Sequence, residues 1–274
     1  MPGKARRAAG YFLEGVNLRR PLRSRYRQLL GALKDLGWKL ADKNLKAPDG
    51  LPYPPPSLCY PVTASYNPLH YWSSGKAGAK AIEDILTRNG LSMDDHQSVL
   101  DFGCGCGRLL RHLNKHENLS LIGTDINCEL VEWCSNNLQT ASFSCNELAS
   151  PLPYPDCTFD LVYAVAVFGH MREEHQVFSL KELGRILKPG GYLLATTKGR
   201  DRINELTPEQ AEDFIGGRSV VVEPDYSGAN YCLAYHSEEC FRTALVRWAL
   251  CEPVFFETSG SPDTGQDVHL SRRT

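Results

Sequence analysis

The sequence has no long hydrophobic run: its longest apolar stretch, residues 161–169, is only nine residues. A membrane-spanning helix needs about 20 apolar residues, so none is predicted. The N-terminus is basic and lacks the apolar segment of a secretory signal. Ten cysteines in a chain of 274 residues do not indicate a disulfide scaffold, because the length already supplies a core. No C-x-x-C pair occurs, which argues against a zinc site and a redox pair. We therefore expect a reduced, cytoplasmic, enzyme-sized protein, in which Cys128 and Cys134 are ordinary helix residues.

No large net charge is present either, because 30 basic residues face 32 acidic ones, and 42% of the residues are hydrophobic. This composition is typical of a globular protein. The balance hides an asymmetry: residues 1–46 contain twelve Lys and Arg but three acidic residues, which leaves a charge of −11 on residues 47–274. A basic segment can contact nucleic acid or an anionic lipid surface. It can equally fold back onto the acidic remainder or keep the chain soluble.

One amphipathic helix is predicted within the basic segment, with Pro21 in its first turn. Its apolar positions recur at helical spacing: Leu22, Tyr26, Leu29, Leu30, Leu33, Leu36 and Leu40. Six prolines follow between Pro48 and Pro61, and this stretch is predicted to be an extended linker. We assign residues 1–75 to a basic helical arm with a Pro-rich linker or lid, and residues 76–274 to the main domain.

Helical and strand patterns alternate beyond Gly75. Strands are predicted over residues 98–102, 120–124, 141–145, 159–165 and 192–197, and helices over 77–88, 108–115, 129–138 and 172–187. The C-terminal part is less regular, with a strand over 231–235, a helix over 238–249 and a last strand or hairpin within 251–272. Such alternation predicts an α/β fold: a doubly wound, mostly parallel sheet with helices on both faces.

A glycine-rich loop follows the first of these strands, with Asp101 ahead of Gly103, Gly105 and Gly107. Glycine is needed where the backbone approaches a ligand closely or turns with a positive φ. Arg108 stands where a G-x-G-x-x-G dinucleotide loop requires its third glycine, which disfavours NAD and FAD. Asp101 favours a ligand that carries positive charge, because a carboxylate there would repel a pyrophosphate.

A second carboxylate, Asp125, ends the next predicted strand. A carboxylate at this position can accept hydrogen bonds from both hydroxyls of a ribose. The structural alternative is that Asp101 caps a helix and that Asp125 is a solvated strand end. Glycines that follow one acidic residue, with a second at the next strand end, favour a nucleoside ligand.

Four motifs carry a resemblance to class I S-adenosylmethionine-dependent methyltransferases: residues 101–107, 122–125, 152–162 and 187–192. They follow the order of that family and lie within residues 76–200. The resemblance implies a Rossmann-like, seven-stranded sheet whose last strand is antiparallel. It also implies S-adenosyl-L-methionine as the cofactor and S-adenosyl-L-homocysteine as the product.

The resemblance also implies cofactor-binding residues at the ends of the first four strands: Asp101, Gly103, Cys104, Gly105, Asp125, Ile126, Asn146, Glu147, Leu148 and Ala164. Asp101 and the glycine backbone would hold the methionine part, Asp125 the ribose, and Ile126 the adenine. Asn146 stands where the family often has an aspartate that receives the adenine amino group. Its side-chain oxygen can still accept that hydrogen bond. Ala164 and Val165 would lie beside the sulfonium.

His170 lies in the loop after the fourth predicted strand and is a candidate general base for a hydroxyl acceptor. A capping or packing role is the alternative. The surrounding residues do not form H-E-x-x-H, so no metal site is predicted. Two aromatic clusters are candidates for the acceptor pocket, with core packing as the alternative. They comprise Tyr66, Tyr71 and Trp72 before the main domain, and Tyr226, Tyr231, Tyr235 and His236 after the fifth strand.

The leading hypothesis is direct in-line methylation of oxygen or nitrogen on a small-molecule or glycan-type acceptor. Three segments resemble methyltransferases of bacterial polysaccharide or secondary-metabolite pathways: the Pro-Pro-Pro entry, the 168–170 loop and the tail at residues 265–270. The alternative is an RNA or protein methyltransferase that binds through the basic arm. Nucleic acid is disfavoured by the acidic main domain and by the lack of an Asn/Asp-Pro-Pro-Tyr/Phe motif. The arm could also contact a membrane surface or a partner subunit, and the fold could have lost catalysis. The acceptor and the oligomeric state stay open.

Overall fold

The computed structural model describes residues 20–41, 46–116, 118–139, 141–261 and 263–274. Within these residues the α-helices are α1 Arg20–Ala41, α2 Pro56–Thr63, α3 Pro68–Arg88, α4 Leu110–Leu113, α5 Cys128–Asn137, α6 Glu173–Ile186, α7 Pro208–Ile215 and α8 Glu238–Ala244. The strands are β1 Ser98–Phe102, β2 Ser120–Asp125, β3 Ser142–Cys145, β4 Phe159–Ala164, β5 Leu187–Thr197, β6 Val220–Val222, β7 Leu233–Tyr235, β8 Cys251–Glu257 and β9 Asp267–Arg273.

Seven strands form one sheet in the order β3-β2-β1-β4-β5-β9-β8. Strands β1 to β5 are parallel, whereas β9 runs antiparallel to both β5 and β8. The predicted mostly parallel, seven-stranded sheet with an antiparallel last strand is confirmed. The chain leaves β1 towards β2 on one side and later returns to β4 on the other. This change of direction opens a crevice at the carboxyl ends of β1 and β4.

The sheet is covered by helices on both faces, which explains why the central strand β4 is almost continuously apolar. On one face, Leu183 of α6 and the π-helical turn at Leu245 pack against Phe159 and Leu193. On the other face, α3 and α4 pack against β1 and β2 in a second buried cluster. Strands β6 and β7 form a separate two-stranded sheet. The predicted α/β layering is confirmed.

The predicted extended linker was wrong for part of the Pro-rich stretch, because Pro56–Thr63 forms helix α2. Pro56 occupies the first turn, where a backbone N–H would have no intrahelical partner. Leu58 and Cys59 of this helix are buried in a cluster that also includes Tyr71 of α3. Helix α3 itself runs across the predicted domain boundary between residues 75 and 76.

Cys128 and Cys145 form a disulfide, and the other eight cysteines are free. The expectation of a fully reduced chain with Cys128 as an ordinary helix residue was therefore wrong. Parallel β2 and β3 pair Asp125 with Cys145, so both strands end at the same sheet edge. Cys128 begins α5 three residues after Asp125, which brings it within a Cα–Cα distance of 5.2 Å of Cys145. Sequence spacing alone does not show this pairing, because it depends on strand register.

The amphipathic helix predicted in the basic segment is present as α1. Its apolar side chains do not face the main domain: Tyr26, Leu29, Leu33 and Leu36 are 48%, 61%, 58% and 55% exposed. Instead Gly31 packs against Ser57, and the Asp35 carboxylate accepts a hydrogen bond from the Ser57 N–H. The side chains of Leu22 and Leu40, and residues 1–19, lie outside the described part of the chain. In the described residues, no helix has the length and apolarity to cross a bilayer.

Candidate functional site

A cleft of about 420 Å³ lies at the carboxyl ends of β1, β2 and β4. Its lower wall is the glycine-rich loop, and its upper wall combines residues 60–62 with residues 228–231. A larger surface groove of about 1010 Å³ is lined by α7 and α8 residues. That groove contains neither the glycine loop nor the two predicted carboxylates, so the chemistry predicted from sequence falls in the smaller cleft.

The N–H groups at the start of the glycine-rich loop donate hydrogen bonds within the protein. The N–H groups of Gly103 and Cys104 donate to the Thr124 carbonyl at 2.8 and 3.0 Å, and the Gly105 N–H donates to Asp125 Oδ2 at 2.8 Å. Gly103 has a φ of +82°, and a Cβ there would come within 2.4 Å of Val167 Cγ2. The loop therefore gives a ligand close backbone approach, and it is not a cradle of free donors for an anion.

Asp101 supplies an unsatisfied acceptor at the floor of the cleft. Its side chain is 2% exposed, and its Oδ2 has no hydrogen-bond partner within the described part of the chain. Burial raises the pKa of this carboxyl to about 8. The Tyr163 hydroxyl and the charge of Arg108 act against this rise in pKa without abolishing it. Because a buried carboxylate oxygen without a hydrogen-bond partner is costly, a cationic donor in the cleft would be favoured. The ammonium of an amino-acid moiety fits this position.

Asp125 lines the cleft beside Ile126 and Asn127. Its carboxylate accepts hydrogen bonds from the N–H groups of Gly105 and Asn127, both at 2.8 Å, which fixes its orientation. Each oxygen keeps a lone pair that can accept a hydroxyl proton. Two vicinal hydroxyls, as in a ribose, fit this carboxylate.

Asn146 also lines the cleft, next to Asp125. Its N–H donates to the Asp125 carbonyl at 3.0 Å, and its Oδ1 accepts from the Thr124 hydroxyl at 2.9 Å. One lone pair of Oδ1 is therefore already used, which leaves one for a donor such as an exocyclic amine.

His170 reaches the cleft from the short 3₁₀ turn Phe168–His170. Its Nδ1 lies 2.9 Å from the Cys232 carbonyl oxygen, which can only accept, so Nδ1 carries the proton. In the neutral ring, Nε2 is then the acceptor. Burial, reinforced by the charge of Lys198, lowers the pKa of His170 to about 4, so the ring is neutral at pH 7.

Other residues predicted for the cofactor lie beside the cleft. Ala164 is completely buried in the core, and the next three residues, Val165, Ala166 and Val167, line the cleft in its place. Leu148 packs closely against Gly228 of the upper wall, where a Cβ would come within 2.6 Å of Leu148 Cδ1, and does not itself line the cleft. Glu147 and Leu148 line a separate small cavity.

The predicted acceptor residues are dispersed. Tyr66 stacks on Tyr60 at a centroid distance of 4.4 Å. Tyr60 lines the cleft, and Tyr66 lies behind it. Trp72 packs against His112, while the Tyr235 hydroxyl donates to Glu205. His236 is buried, with its Nε2 2.7 Å from Gln176 Oε1. None of these four lines the cleft, whereas Tyr231 of the second aromatic cluster does.

A lid formed by residues 1–75 was one expectation, but sequence reasoning did not identify the residues there that line the cleft, which are Arg27, Tyr60 and Val62. A Cβ added at Gly105 would come within 2.7 Å of Val62 Cγ2, so α2 lies directly over the glycine loop. Asn230 Nδ2 donates to the Pro61 carbonyl at 2.8 Å, which joins the two halves of the upper wall. No sequence signal marks these contacts, because they depend on how α1 and α2 pack.

Comparison with known proteins gives a match between residues 99–191 and a family model described as a methyltransferase domain. The chain is 27% identical over 162 residues to methyltransferase GfsG of Streptomyces halstedii, covering 57% of this chain and 55% of that protein. It is 29% identical over 142 residues to the tRNA (carboxymethyluridine(34)-5-O)-methyltransferase of Arabidopsis thaliana, covering 48% and 34%. The chain thus spans about half or less of the length of these relatives.

One solved structure that resembles the fold is Burkholderia thailandensis 1,6-didemethyltoxoflavin-N1-methyltransferase with bound 1,6-didemethyltoxoflavin and S-adenosylhomocysteine. The TM-score is 0.52 at 17% identity, and the match covers 74% of this chain and 80% of that one. At this identity the likeness shows a shared fold.

Proposed function

Because this chain contains a class I S-adenosylmethionine-dependent methyltransferase domain, we propose that it methylates oxygen or nitrogen on a small-molecule or glycan-type acceptor. The observation that carries the proposal is the arrangement of one continuous cleft. Asp101 and Asp125 lie at one end of it, and the neutral ring of His170 lies in its wall.

S-adenosylmethionine is the cofactor of the domain, and when bound it supplies a methyl group on a sulfonium. We assign the amino group of its methionine part to Asp101 and its ribose to Asp125. Ile126 and Asn146 would receive the adenine, and the Gly103–Gly105 backbone would allow close approach. This assignment gives a hydrogen-bond donor to Asp101 Oδ2, which has none among the described residues.

The role we assign to His170 is that of a general base. When an acceptor hydroxyl takes the methyl group, it must release its proton, and Nε2 can receive that proton before it passes to water. The Cys232 carbonyl holds the ring in the tautomer that this requires. A pKa of about 4 keeps the base unprotonated at neutral pH, although it also limits its strength.

RNA is the second candidate acceptor, because one relative is named as a tRNA methyltransferase and residues 1–46 carry a charge of +9. Against it, the Asn230–Pro61 hydrogen bond joins the two parts of the upper wall, and a flipped base would have to pass this wall. We therefore favour a small acceptor over a polynucleotide.

The experiment is incubation of the full chain with methyl-labelled S-adenosylmethionine and cell extract, followed by separation of small molecules, glycans, RNA and protein. The proposal expects label in the small-molecule or glycan fraction. Label in RNA that depends on residues 1–46 would establish the second candidate. If the protein binds S-adenosylhomocysteine but transfers no label, the proposed activity is contradicted while the cofactor assignment stands.

A further inference from the structure

Arg27, at the mouth of the cleft, has no ion-pair partner among the residues that the structure describes. It lies on the face of α1 that is turned towards the main domain, and it lines the same cleft as Asp101 and His170. Its Cζ lies 5.4 Å from the ring centroid of Tyr60 and 5.2 Å from that of Tyr231. Contacts at these distances hold a guanidinium by cation–π attraction.

The backbone at Arg27 is fixed as well, because the Tyr66 hydroxyl donates to the Arg27 carbonyl at 3.1 Å. Tyr66 in turn stacks on Tyr60. Aromatic rings from α2 and from the segment after β6 therefore position the guanidinium, so the Arg27 side chain is held in place. Such a pre-positioned arginine is well suited to bind a planar or tetrahedral anion.

No carboxylate forms an ion pair with Arg27 anywhere in the described ranges. The other arginine that lines the cleft, Arg108, is paired with Asp263 at 2.7 Å. The acidic groups of the cleft, Asp101 and Asp125, are assigned to the cofactor. Arg27 therefore has N–H donors and a positive charge for which no described residue supplies a carboxylate.

We propose that the acceptor carries a carboxylate or phosphate group, which Arg27 binds at the mouth of the cleft while the methyl-accepting atom lies towards His170. The inference rests on the proposed function and narrows its substrate class to anionic small molecules. Val62 and Val167 add apolar surface to the cleft next to the glycine loop. One volume of about 420 Å³ must hold both cofactor and acceptor, which favours a small acceptor or the end of a larger one.

The test compares R27Q and R27K with R25Q, a control on the same helix whose native side chain is exposed. Inorganic phosphate is titrated into each protein saturated with S-adenosylhomocysteine, at constant ionic strength, and the thermal midpoint is followed. We expect phosphate to raise the midpoint of the wild type, R27K and R25Q but not of R27Q. An equal response of R27Q overturns the anion site, whether or not any acceptor has been found.

A second readout is methyl transfer to cell extract. We expect R27Q to transfer label at least tenfold more slowly at low extract concentration, with S-adenosylhomocysteine affinity within twofold of the wild type. The labelled product should bind an anion exchanger at neutral pH. A product that passes through the exchanger, label in RNA, or an equal loss of S-adenosylhomocysteine affinity in R27Q contradicts the proposal. The last result would assign Arg27 to the cofactor.

Discussion

Replacing Asp101 by Asn should stabilise the ligand-free protein and weaken cofactor binding at the same time. The pKa of Asp101 is raised from 3.8 to about 8, so folding favours its protonated form. The folded state then binds more protons than the unfolded state between these values, and stability is lost as the pH rises from about 4 to 8. At pH 7 this difference corresponds to about 4 kcal/mol, at 1.36 kcal/mol for each pKa unit.

The D101N variant removes this penalty, so its gain in unfolding free energy should be near zero at pH 4 and largest near pH 8. Its affinity for S-adenosylhomocysteine should fall about 10- to 150-fold, because a charge-assisted hydrogen bond contributes roughly 1.5–3 kcal/mol. Urea unfolding at several pH values and calorimetric titration measure the two effects separately.

The matched control is D160N. Asp160 is the second residue of β4, at the end of the strand away from the cleft, and its ion pair with Lys188 at 2.8 Å helps to lower its pKa. Its replacement should destabilise the protein and leave S-adenosylhomocysteine affinity unchanged. The reasoning is refuted if D101N destabilises the protein at pH 8, or if it binds S-adenosylhomocysteine as tightly as the wild type.

Three further predictions concern other parts of the molecule. His170→Gln should lower turnover roughly 100-fold or more, while S-adenosylhomocysteine affinity stays within twofold of the wild type. Because the pKa of His170 is about 4, wild-type turnover should show no loss from His170 protonation between pH 8 and 6. Equal turnover of the variant and the wild type would show that His170 is not the base. Reduction of the Cys128–Cys145 disulfide, which spans 17 residues, should lower the unfolding free energy by about 3 kcal/mol in denaturant titrations, and C128S/C145S should then show no response to reductant. The full chain should sediment with vesicles that contain phosphatidylserine. The L29S/L33S variant should bind these vesicles roughly 30-fold more weakly, because it lacks two exposed leucines. A full chain that stays in the supernatant contradicts a membrane contact of α1.

The sheet could be predicted from the sequence because each of its signals is local. The apolar run of β4 and the alternation of strands with helices predict a parallel sheet without knowledge of contacts. Asp101 and Asp125 could be placed at one edge for the same reason, since parallel strands end together. Their environment could not be predicted: the raised pKa of Asp101 depends on how completely neighbouring elements exclude water.

The residues of the upper wall of the cleft could not be predicted from the sequence, because contacts between distant parts of the chain create this wall. Arg27 and Tyr231 are 204 positions apart, and their contact depends on where α1 lies against α2. The orientation of α1 is also a packing result, because Gly31 allows close contact with Ser57 and turns the leucines outward. Hydrophobic periodicity predicted the helix, but it did not show which face packs against the rest of the chain.

The most direct test of the account is a crystal structure of the full chain with S-adenosylhomocysteine. We expect its ribose hydroxyls on the Asp125 carboxylate, its amino group on Asp101, and its sulfur facing the space between His170 and Arg27. A ligand bound elsewhere, or one whose amino group lies away from Asp101, would contradict the assignment of the cleft.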